Sequence, residues 1–381
     1  MKVVLISSHP VSSRMAGPGI RYYKFAENLS KEFETLLLTP NEPDIKAKGF
    51  EMMRLSSLKW KEIKKYDFLI TQGYRVPLRI LYSFDGRKII DLYTPMVVEY
   101  EEHIKNFGMM RRIFKYGRVI LKTYLLMKIA DAFLCANERQ VLFYKGMLKA
   151  WNIKEKPFLL LPSGIDEEEP EDRDYLKIAG FRKGDEPVFV WNGGIWRWLD
   201  PFTPLRAIKE LKKDGIQAKI LFLGKKTPVR EEKGIETVDE VLKEAERLGT
   251  MENVLFADDW LRYEDCIRFV SASTAGICTF YKTLETEISF RTRFLDCLSA
   301  ITPMIWTDGD YFSHLIRSQE IGFVISPEDF IQMKDAMRNL IEKEVQKKMK
   351  ERIRELRKNF FWKEVIKPLI KFLKEKAIFS G

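Results

Sequence analysis

The sequence predicts an α/β chain of two doubly wound domains, each a parallel sheet with helices packed on it. The length of 381 residues, 45% of them hydrophobic, suits two domains with cores of their own. Short apolar runs alternate with helical stretches, which is typical of such sheets. A polar segment at 163–187 interrupts the pattern, and the apolar runs resume after it. We therefore expect one sheet on each side of that segment.

The first set of apolar runs predicts the strands of an amino-terminal domain. Residues 3–6 form a continuous apolar run, as expected for a strand buried on both faces of a parallel sheet. A loop of Ser, Gly and Pro follows at 7–18, and apolar periodicity from Gly19 predicts a helix. Further strands are predicted at 36–38, 68–70, 88–90 and 132–134. Ligands of such a domain should lie beyond the carboxyl ends of its strands.

The second set of apolar runs predicts another domain of the same design. Its strands are expected at 188–190, 219–223, 254–256, 275–277 and 304–306. The repetition implies two Rossmann-like halves, which we place at residues 1–165 and 166–361. Residues 330–373 are charged and helical in period, with a kink expected at Pro368. We expect the last helix, within 362–381, to pack back onto the first domain.

Charge and composition limit the kinds of partner, location and metal site that we expect for this chain. The formal net charge of +10 favours an anionic partner. Nucleic acid is disfavoured because the basic residues cluster with aliphatic rather than stacking aromatic side chains. No apolar run approaches the ~20 residues of a membrane span, so we expect a cytoplasmic protein. The cysteines and histidines lack the spacing of a metal clamp, and no structural zinc site is expected for Cys135, Cys266, Cys278, Cys297, His9, His103 and His314.

One stretch of the second half has the residue order of a known family. Glu287 is followed by Arg291-Thr292-Arg293, then by Asp296, Pro303 and a predicted strand. This order resembles the donor-binding stretch of the retaining family-four (group 1) glycosyltransferases, and nearly the whole chain can be laid along their plan. Three further segments resemble glycine-containing turns of that family: Gly17-Pro18-Gly19, Gly164-Ile165-Asp166 and Gly193-Gly194. The resemblance implies the GT-B fold, in which two Rossmann-like domains face each other across a cleft.

The sequence departs from the family pattern in two places. Eight residues separate Glu287 from Asp296, where the family has seven, and the second acid is Asp rather than Glu. The Arg and Lys that usually follow the first strand of the second domain would fall on Ile195 and Asp200. Arg197 is a nearby cation that could replace them.

The resemblance implies that these residues bind a nucleotide-diphosphate sugar. Asp296 would accept hydrogen bonds from the ribose hydroxyls, and Glu287 would contact the hydroxyls of the sugar ring. Gly17 and Gly19 would let the first domain's loop approach the donor and acceptor, because glycine tolerates positive φ. The glycine pair of the second domain, Gly193 and Gly194, would lie beside the donor.

The diphosphate needs fixed cations and free backbone N–H groups at a helix start. A helix opening within 289–292 would supply the N–H groups. Arg291 and Arg293 are two residues apart, so one would reach the phosphates while the other braces the loop. The alternative is that these arginines, and Arg197, form ordinary surface or acid pairs.

Residues that follow strands of the first domain are candidates for the acceptor side. Asp91, Tyr93 and Glu99 follow one predicted strand and His9 follows another, so their side chains should point toward the cleft. In the second domain, Asp308-Gly309-Asp310 invites comparison with the metal-holding D-x-D of another glycosyltransferase fold. We reject that interpretation because no other ligand cluster accompanies these acids. We expect no metal and no other cofactor to be required.

Residues 105–128 include seven basic residues and no acid. As a helix, this segment would carry one apolar stripe flanked by basic residues, with the stripe at 110, 113, 114, 117, 120, 121 and 124 and the flank at Arg111, Lys115, Arg118 and Lys122. That pattern is typical of a helix lying on an anionic membrane. A core-packed helix with a solvated basic face is an equal alternative.

The resemblance implies a retaining transfer from a nucleotide-diphosphate sugar to an acceptor hydroxyl of a glycan or lipid-linked glycan. Catalysis would be electrostatic and positional, with the departing phosphate accepting the proton of the acceptor. A lipid-linked acceptor would make the protein peripheral on the inner face of a membrane. Two alternatives stay open: a nucleotide-sugar epimerase of the same fold, and a catalytically silent nucleotide-binding module.

Overall fold

The computed structural model describes residues 1–105, 107–224, 237–257 and 261–378, which form two compact units. The first unit consists of Met1–Gly164, Ile288–Phe290 and the described residues from Trp362 onward. The second consists of the described residues of Ile165–Glu287 and Arg291–Phe361. Each unit has its own parallel sheet, so the predicted α/β class with two doubly wound sheets is confirmed.

The first unit alternates strands with helices along the chain. Its strands are β1 (Lys2–Ile6), β2 (Glu34–Thr39), β3 (Glu51–Arg54), β4 (Phe68–Thr71), β5 (Arg87–Asp91), β6 (Ala132–Cys135) and β7 (Phe158–Leu160). Its helices are α1 (Gly17–Leu29), α2 (Trp60–Ile63), α3 (Leu78–Ser83), α4 (Met96–Ile104), α5 (Met109–Ile129) and α6 (Glu138–Ala150). The strands are parallel, in the order β3-β2-β1-β4-β5-β6-β7.

The second unit repeats this design. Its helices are α7 (Tyr175–Ile178), α8 (Phe202–Lys213), α9 (Thr237–Leu248), α10 (Tyr263–Ser271), α11 (Leu284–Ile288), α12 (Thr292–Ser299), α13 (Ser313–Ser318), α14 (Phe330–Ile341) and α15 (Lys343–Arg357), of which α11 ends in the segment grouped with the first unit. Its strands are β8 (Val188–Gly194), β9 (Lys219–Gly224), β10 (Val254–Phe256), β11 (Ala275–Cys278), β12 (Met304–Thr307) and β13 (Gly322–Ile325). These strands are also parallel, in the order β10-β9-β8-β11-β12-β13.

Two short helices, α16 (Trp362–Val365) and α17 (Lys367–Ile378), complete the first unit. Trp362 packs edge-on against Phe25 of α1, with ring centroids 5.9 Å apart. Leu369 and Leu373 are buried in the same apolar cluster as Val3 and Leu5 of β1. The predicted packing of the terminal helix onto the first domain is confirmed.

The carboxy-terminal segment is divided differently from our prediction. Instead of a long helix kinked at Pro368, separate helices cover the segment, and α17 begins at Lys367. Pro368 is the second residue of α17, where the missing N–H removes no helical hydrogen bond. The proline therefore starts a helix rather than bending one. The first helix also starts earlier than predicted, at Gly17 rather than Gly19.

Candidate functional site

The carboxyl end of β8 is an irregular glycine turn. The pairing of β8 with β9 shifts register between Trp191 and Gly194. Gly193 has a φ of +84°, a left-handed conformation that favours glycine. The turn leaves the edge of the second sheet at the place where doubly wound folds bind ligands.

Arg293 of α12 lies directly against this turn. Its guanidinium donates a hydrogen bond to the carbonyl oxygen of Gly194 and lies 4.7 Å from the centroid of the Trp191 ring. The side chain is buried, and no carboxylate of the described residues forms an ion pair with it. Burial lowers the pKa of Arg293 to about 10, so the group is still charged at neutral pH. The turn thus holds a buried cation that makes no direct ion pair, and the carboxylate of Asp296 is close enough to act on its charge.

Asp296, one turn further along α12, is fixed by Asn192 of β8. The amide Nδ2 of Asn192 donates to Oδ2 of Asp296 over 2.7 Å. Burial raises the pKa of Asp296 to about 6, while the Asn192 hydrogen bond and the Arg293 charge oppose that rise. Within the described chain, Asn192 Oδ1 and Arg293 Nη1 are buried without hydrogen-bond partners. The structure therefore brings Gly193, Gly194, Arg293 and Asp296 together.

Arg291 has a different environment from Arg293. Its Nη2 lies 2.7 Å from Oε2 of Glu285, and both side chains are buried. The guanidinium also lies 4.9 Å from the ring centroid of Phe280. Of the two interpretations that the sequence left open for this arginine, the structure supports the acid pair. Arg291 is the N-cap of α12, which begins at Thr292.

Two acids of α11 have contrasting positions. Glu285 is buried against Arg291, whereas Glu287, the residue singled out from the sequence, is exposed. Sequence reasoning missed Glu285. The available sequence signal was Arg291, a basic residue six positions later. In a chain rich in charged residues, many acid and base pairs at such a spacing make no contact.

The loop after β8 contains Arg197 between two tryptophans. The rings of Trp196 and Trp198 are stacked, with centroids 5.7 Å apart and planes 9° apart, and Arg197 is half-buried. Ile195 and Asp200 stand where the family-four glycosyltransferases usually have Arg and Lys, and both have structural roles in this chain. Ile195 is buried, and Asp200 Oδ1 accepts from the backbone N–H groups of Phe202 and Thr203 at the start of α8.

Asp308 and Asp310 face different partners. Asp308 forms an exposed ion pair with Arg317 at 3.1 Å. Asp310 is buried, and its carboxylate accepts from Trp306 Nε1 and from the backbone N–H groups of Phe312 and Ser313. Across the described residues, no three His, Cys, Asp or Glu side chains converge as metal ligands. The two aspartates therefore have separate protein partners.

In the first unit, Asp91 is bound by Arg21 of α1. The guanidinium makes a bidentate pair with the carboxylate, at 2.9 Å and 3.1 Å, and both side chains are fully buried. Arg21 also donates to the carbonyl oxygen of Leu161, and its guanidinium lies 4.4 Å from the ring centroid of Tyr93. We expected Asp91 and Tyr93 to point toward a cleft, but the structure places both in a buried network.

The remaining first-unit candidates lie at the carboxyl edge of the sheet or beside it. His9 follows β1; burial and the charge of Arg75 lower its pKa to about 4. Glu99 is half-buried in the first turn of α4. Neither Gly17 nor Gly19 has a positive φ, and a side chain at Gly19 would collide with the carbonyl oxygen of Pro10. Close packing, not unusual backbone torsion, therefore explains Gly19.

Polar atoms without partners mark this edge. Among the described residues, Ser8 Oγ and His9 Nδ1 after β1 and Gln72 Nε2 after β4 are buried and make no hydrogen bond. Ser8 and Gln72 were not selected from the sequence, because isolated Ser and Gln residues carry no pattern. Unsatisfied buried polar atoms are uncommon and call for an explanation.

Comparisons with solved structures identify the architecture. Sucrose-phosphate synthase from Thermosynechococcus elongatus superposes with a TM-score of 0.72 at 14% identity, covering 100% of both chains. WaaG, a glycosyltransferase involved in lipopolysaccharide biosynthesis, gives 0.67 at 15% identity over 96% of this chain and 99% of its own. HepE from Anabaena in complex with UDP-glucose gives 0.70 at 10% identity over 98% and 100%.

The chain has the GT-B fold. No protein-family model matches the sequence, and no curated protein is detectably similar to it. The similarity to the solved structures is therefore a similarity of fold. It extends over nearly the full length of both chains in each comparison.

A cavity of about 750 Å³ in the second unit of this GT-B chain lies away from the glycine turn. Its lining includes Pro187, Thr274 and Ile301, which precede β8, β11 and β12. The cavity is therefore at the amino-terminal edge of the sheet. Because doubly wound sheets bind ligands at the opposite edge, we assign this cavity no part in the candidate site.

Proposed function

We propose that this chain is a glycosyltransferase that moves a sugar from a nucleotide-diphosphate sugar to an acceptor hydroxyl with retention. The observation that carries the proposal is the buried guanidinium of Arg293 beside Gly193 and Gly194, which makes no direct ion pair and whose Nη1 has no hydrogen-bond partner among the described residues. Burying a charge is costly unless it is paired. A donor diphosphate at this turn would pair directly with the guanidinium and accept from the unpartnered Nη1.

The diphosphate is bound by the side chain and by the backbone. Arg293 Nη1 is a buried donor without a partner within the described residues, as is Arg291 Nε, and the first turn of α12 begins one residue before Arg293. The N–H groups of a helix start and its dipole favour an anion. Arg291 braces this helix start through Glu285, so Arg293 is the better placed of the two arginines for the phosphates.

We assign the ribose and the transferred sugar of the donor to residues beside the diphosphate site. Asp296 accepts from the ribose hydroxyls, and Glu287 contacts the hydroxyls of the transferred sugar. Arg197 and the glycines Gly17 and Gly19 are assigned to the periphery of the donor. UDP-glucose is bound in the solved HepE structure, and we extend that donor class, though not its base or sugar, to this chain.

The reaction requires little covalent participation by the protein. The bond between the anomeric carbon and the phosphate oxygen breaks, and the acceptor oxygen forms its bond on the same face. The leaving phosphate accepts the proton of the acceptor hydroxyl. Positive charge and oriented N–H groups stabilise the leaving diphosphate, so the mechanism needs neither a metal nor another cofactor.

The acceptor is assigned to the carboxyl edge of the first sheet. Ser8, His9 and Gln72 offer unpartnered polar atoms there, as far as the described residues go. His9 is neutral at pH 7, because its pKa is lowered to about 4, and can accept a hydrogen bond from a hydroxyl. Glu99 is a further contact. Asp91 and Tyr93 position this edge through Arg21. A glycan or lipid-linked glycan is the acceptor class we propose, which would place the enzyme at the inner face of a membrane.

A thermal-shift screen with nucleotide sugars tests the donor. A ligand at 100 times its dissociation constant adds ~2.7 kcal/mol to the free energy of unfolding. Incubation of the stabilising donor with candidate acceptors should give a glycoside of unchanged anomeric configuration by NMR. Release of an isomerised sugar without acceptor would identify an epimerase, and stabilisation without turnover would leave a silent binding module.

A further inference from the structure

Helix α5 exposes an unusual group of large apolar side chains. Met109, Met110, Ile113, Phe114 and Leu121 are between 58% and 80% exposed. They lie within 13 consecutive residues of one helix. Contiguous exposed apolar surface on a folded protein marks an interaction site, whereas scattered single residues do not.

Basic residues follow the same part of the helix in a separate row. Arg111, Lys115, Arg118 and Lys122 are spaced by four, three and four residues, which places them along one side of the apolar stripe. No acid occurs in α5. Two neighbouring cations, Arg112 and Lys105, are ion-paired with Glu101 and Glu102 of α4 and are not counted in the row.

The carboxy-terminal part of α5 is fixed to the first unit. Thr123, Leu126 and Met127 are buried. Thr123 is hydrogen-bonded to Tyr74 at 2.9 Å, and Lys122 Nζ donates to the carbonyl oxygen of Val76 at 2.7 Å. The core-packed alternative therefore holds for this end only, and the amino-terminal half presents its apolar stripe outward. Among the described helices, none is long and apolar enough to cross a membrane.

We propose that the amino-terminal half of α5, residues 109–121, docks on an anionic lipid bilayer. Met110, Phe114 and Leu121 enter the boundary between headgroups and acyl chains, and Arg111, Lys115 and Arg118 bind the anionic headgroups beside them. The row of one charge sign disfavours a second copy of the same surface as the partner. This inference does not depend on the proposed chemistry, because it uses no residue of the donor site.

Cosedimentation with vesicles tests the proposal. The unmodified chain should bind phosphatidylcholine vesicles that contain about 30% phosphatidylglycerol, but not pure phosphatidylcholine. Adding salt to about 0.5 M should release most of it, because the headgroup attraction is screened. The triple variant Arg111→Gln, Lys115→Gln, Arg118→Gln should bind on the order of 100-fold more weakly.

Two matched variants separate this surface from general charge and hydrophobicity. Lys343, Lys347 and Lys348 are exposed in the second unit. Changing all three to Gln removes the same charge and should leave vesicle binding unchanged. Met110→Ser, Phe114→Ser, Leu121→Ser should abolish binding, whereas Tyr82→Ser, Leu142→Ser, Ile178→Ser, at other exposed apolar positions, should not.

Circular dichroism and nucleotide-sugar calorimetry on every variant report on folding and on the donor site separately. Equal binding to zwitterionic and anionic vesicles, or no binding by the folded unmodified chain at low salt, would overturn the proposal. Self-association through the same residues in place of vesicle binding would assign the face to a second copy instead.

Discussion

The side-chain amide of Asn192 donates to the carboxylate of Asp296 over 2.7 Å and so ties the end of β8 to α12. The same carboxylate is buried, with a pKa raised to about 6. Its charge therefore affects stability as well as any ligand placed against it. The effect of this charge on stability and its effect on ligand binding can be measured separately.

The pH dependence of stability should change in Asp296→Asn. The folded pKa of about 6 is above the ~3.9 expected when unfolded, so the folded state binds more protons between these values. This group's contribution to stability is therefore fully present below pH ~4 and lost as pH rises through 6. The substituted asparagine carries no charge, so the variant should gain up to ~3 kcal/mol relative to the parent between pH 4 and 7.5 in urea unfolding. Parallel profiles would contradict the assigned pKa.

Ligand binding should separate the two acids. Asp296→Ala should weaken free nucleotide and nucleotide sugar alike, by ~1.5 to 3 kcal/mol, because a hydrogen bond to a charged group is lost. Glu287→Gln should spare nucleotide affinity and lower the transfer rate, since its partner is the sugar. Calorimetry and initial rates measure both. If folded Asp296→Ala binds nucleotide as the parent does, the donor has been placed on the wrong stretch of chain.

The two arginines should give opposite results. Arg291→Ala breaks the buried ion pair with Glu285, which typically costs about 3 to 5 kcal/mol of stability, a loss that urea unfolding resolves well. Arg293→Ala breaks no direct ion pair among the described residues and should instead reduce diphosphate affinity far more than nucleoside affinity. The double variant Arg291→Ala, Glu285→Ala should recover part of the lost stability. A diphosphate affinity unchanged in Arg293→Ala would remove the main support for the proposed function.

Turnover should persist in excess EDTA. The reason is that Asp308 and Asp310 have separate protein partners, and in the proposed function arginine and helix N–H groups bind the phosphates. Rates with EDTA, with magnesium and with manganese provide the comparison. Loss of activity that added metal restores would show that the chain recruits a cation with the substrate.

Most of the fold was accessible from the sequence because central strands of a parallel sheet are buried on both faces. Each predicted apolar run became a strand. The three strands that we did not predict, β3, β7 and β13, are all edge strands. Their residues are mostly exposed or half-buried. β3 has charged residues at both ends, whereas β7 and β13 each contain an apolar run of three residues that we did not single out. A short apolar run does not by itself distinguish a strand from a buried helix segment, so pattern alone did not assign these edge strands.

The candidate site was less accessible, because its contacts join distant residues. The order of Arg293 and Asp296 along the chain suggested a donor stretch, but nothing local indicated that Asn192 binds that aspartate. The pairing of Arg21 with Asp91 crosses from a helix to a strand end and leaves no sequence spacing to detect. Likewise, Glu285 and Glu287 look equivalent in the sequence, and only tertiary packing buries the first.

The position of α16 and α17 in the first unit has a consequence for biosynthesis. Trp362 and Leu369 complete a core that begins with Val3, so this core cannot close until α16 and α17 have left the ribosome. Residues 165–361 are made in between, which takes roughly 10 to 40 s at elongation rates of about 5–20 residues per second. During that interval the apolar face of β1 and α1 lacks its final cover. The second unit, whose residues are all made before these helices, is free to fold first, so the order of folding is the reverse of the order in which the units begin.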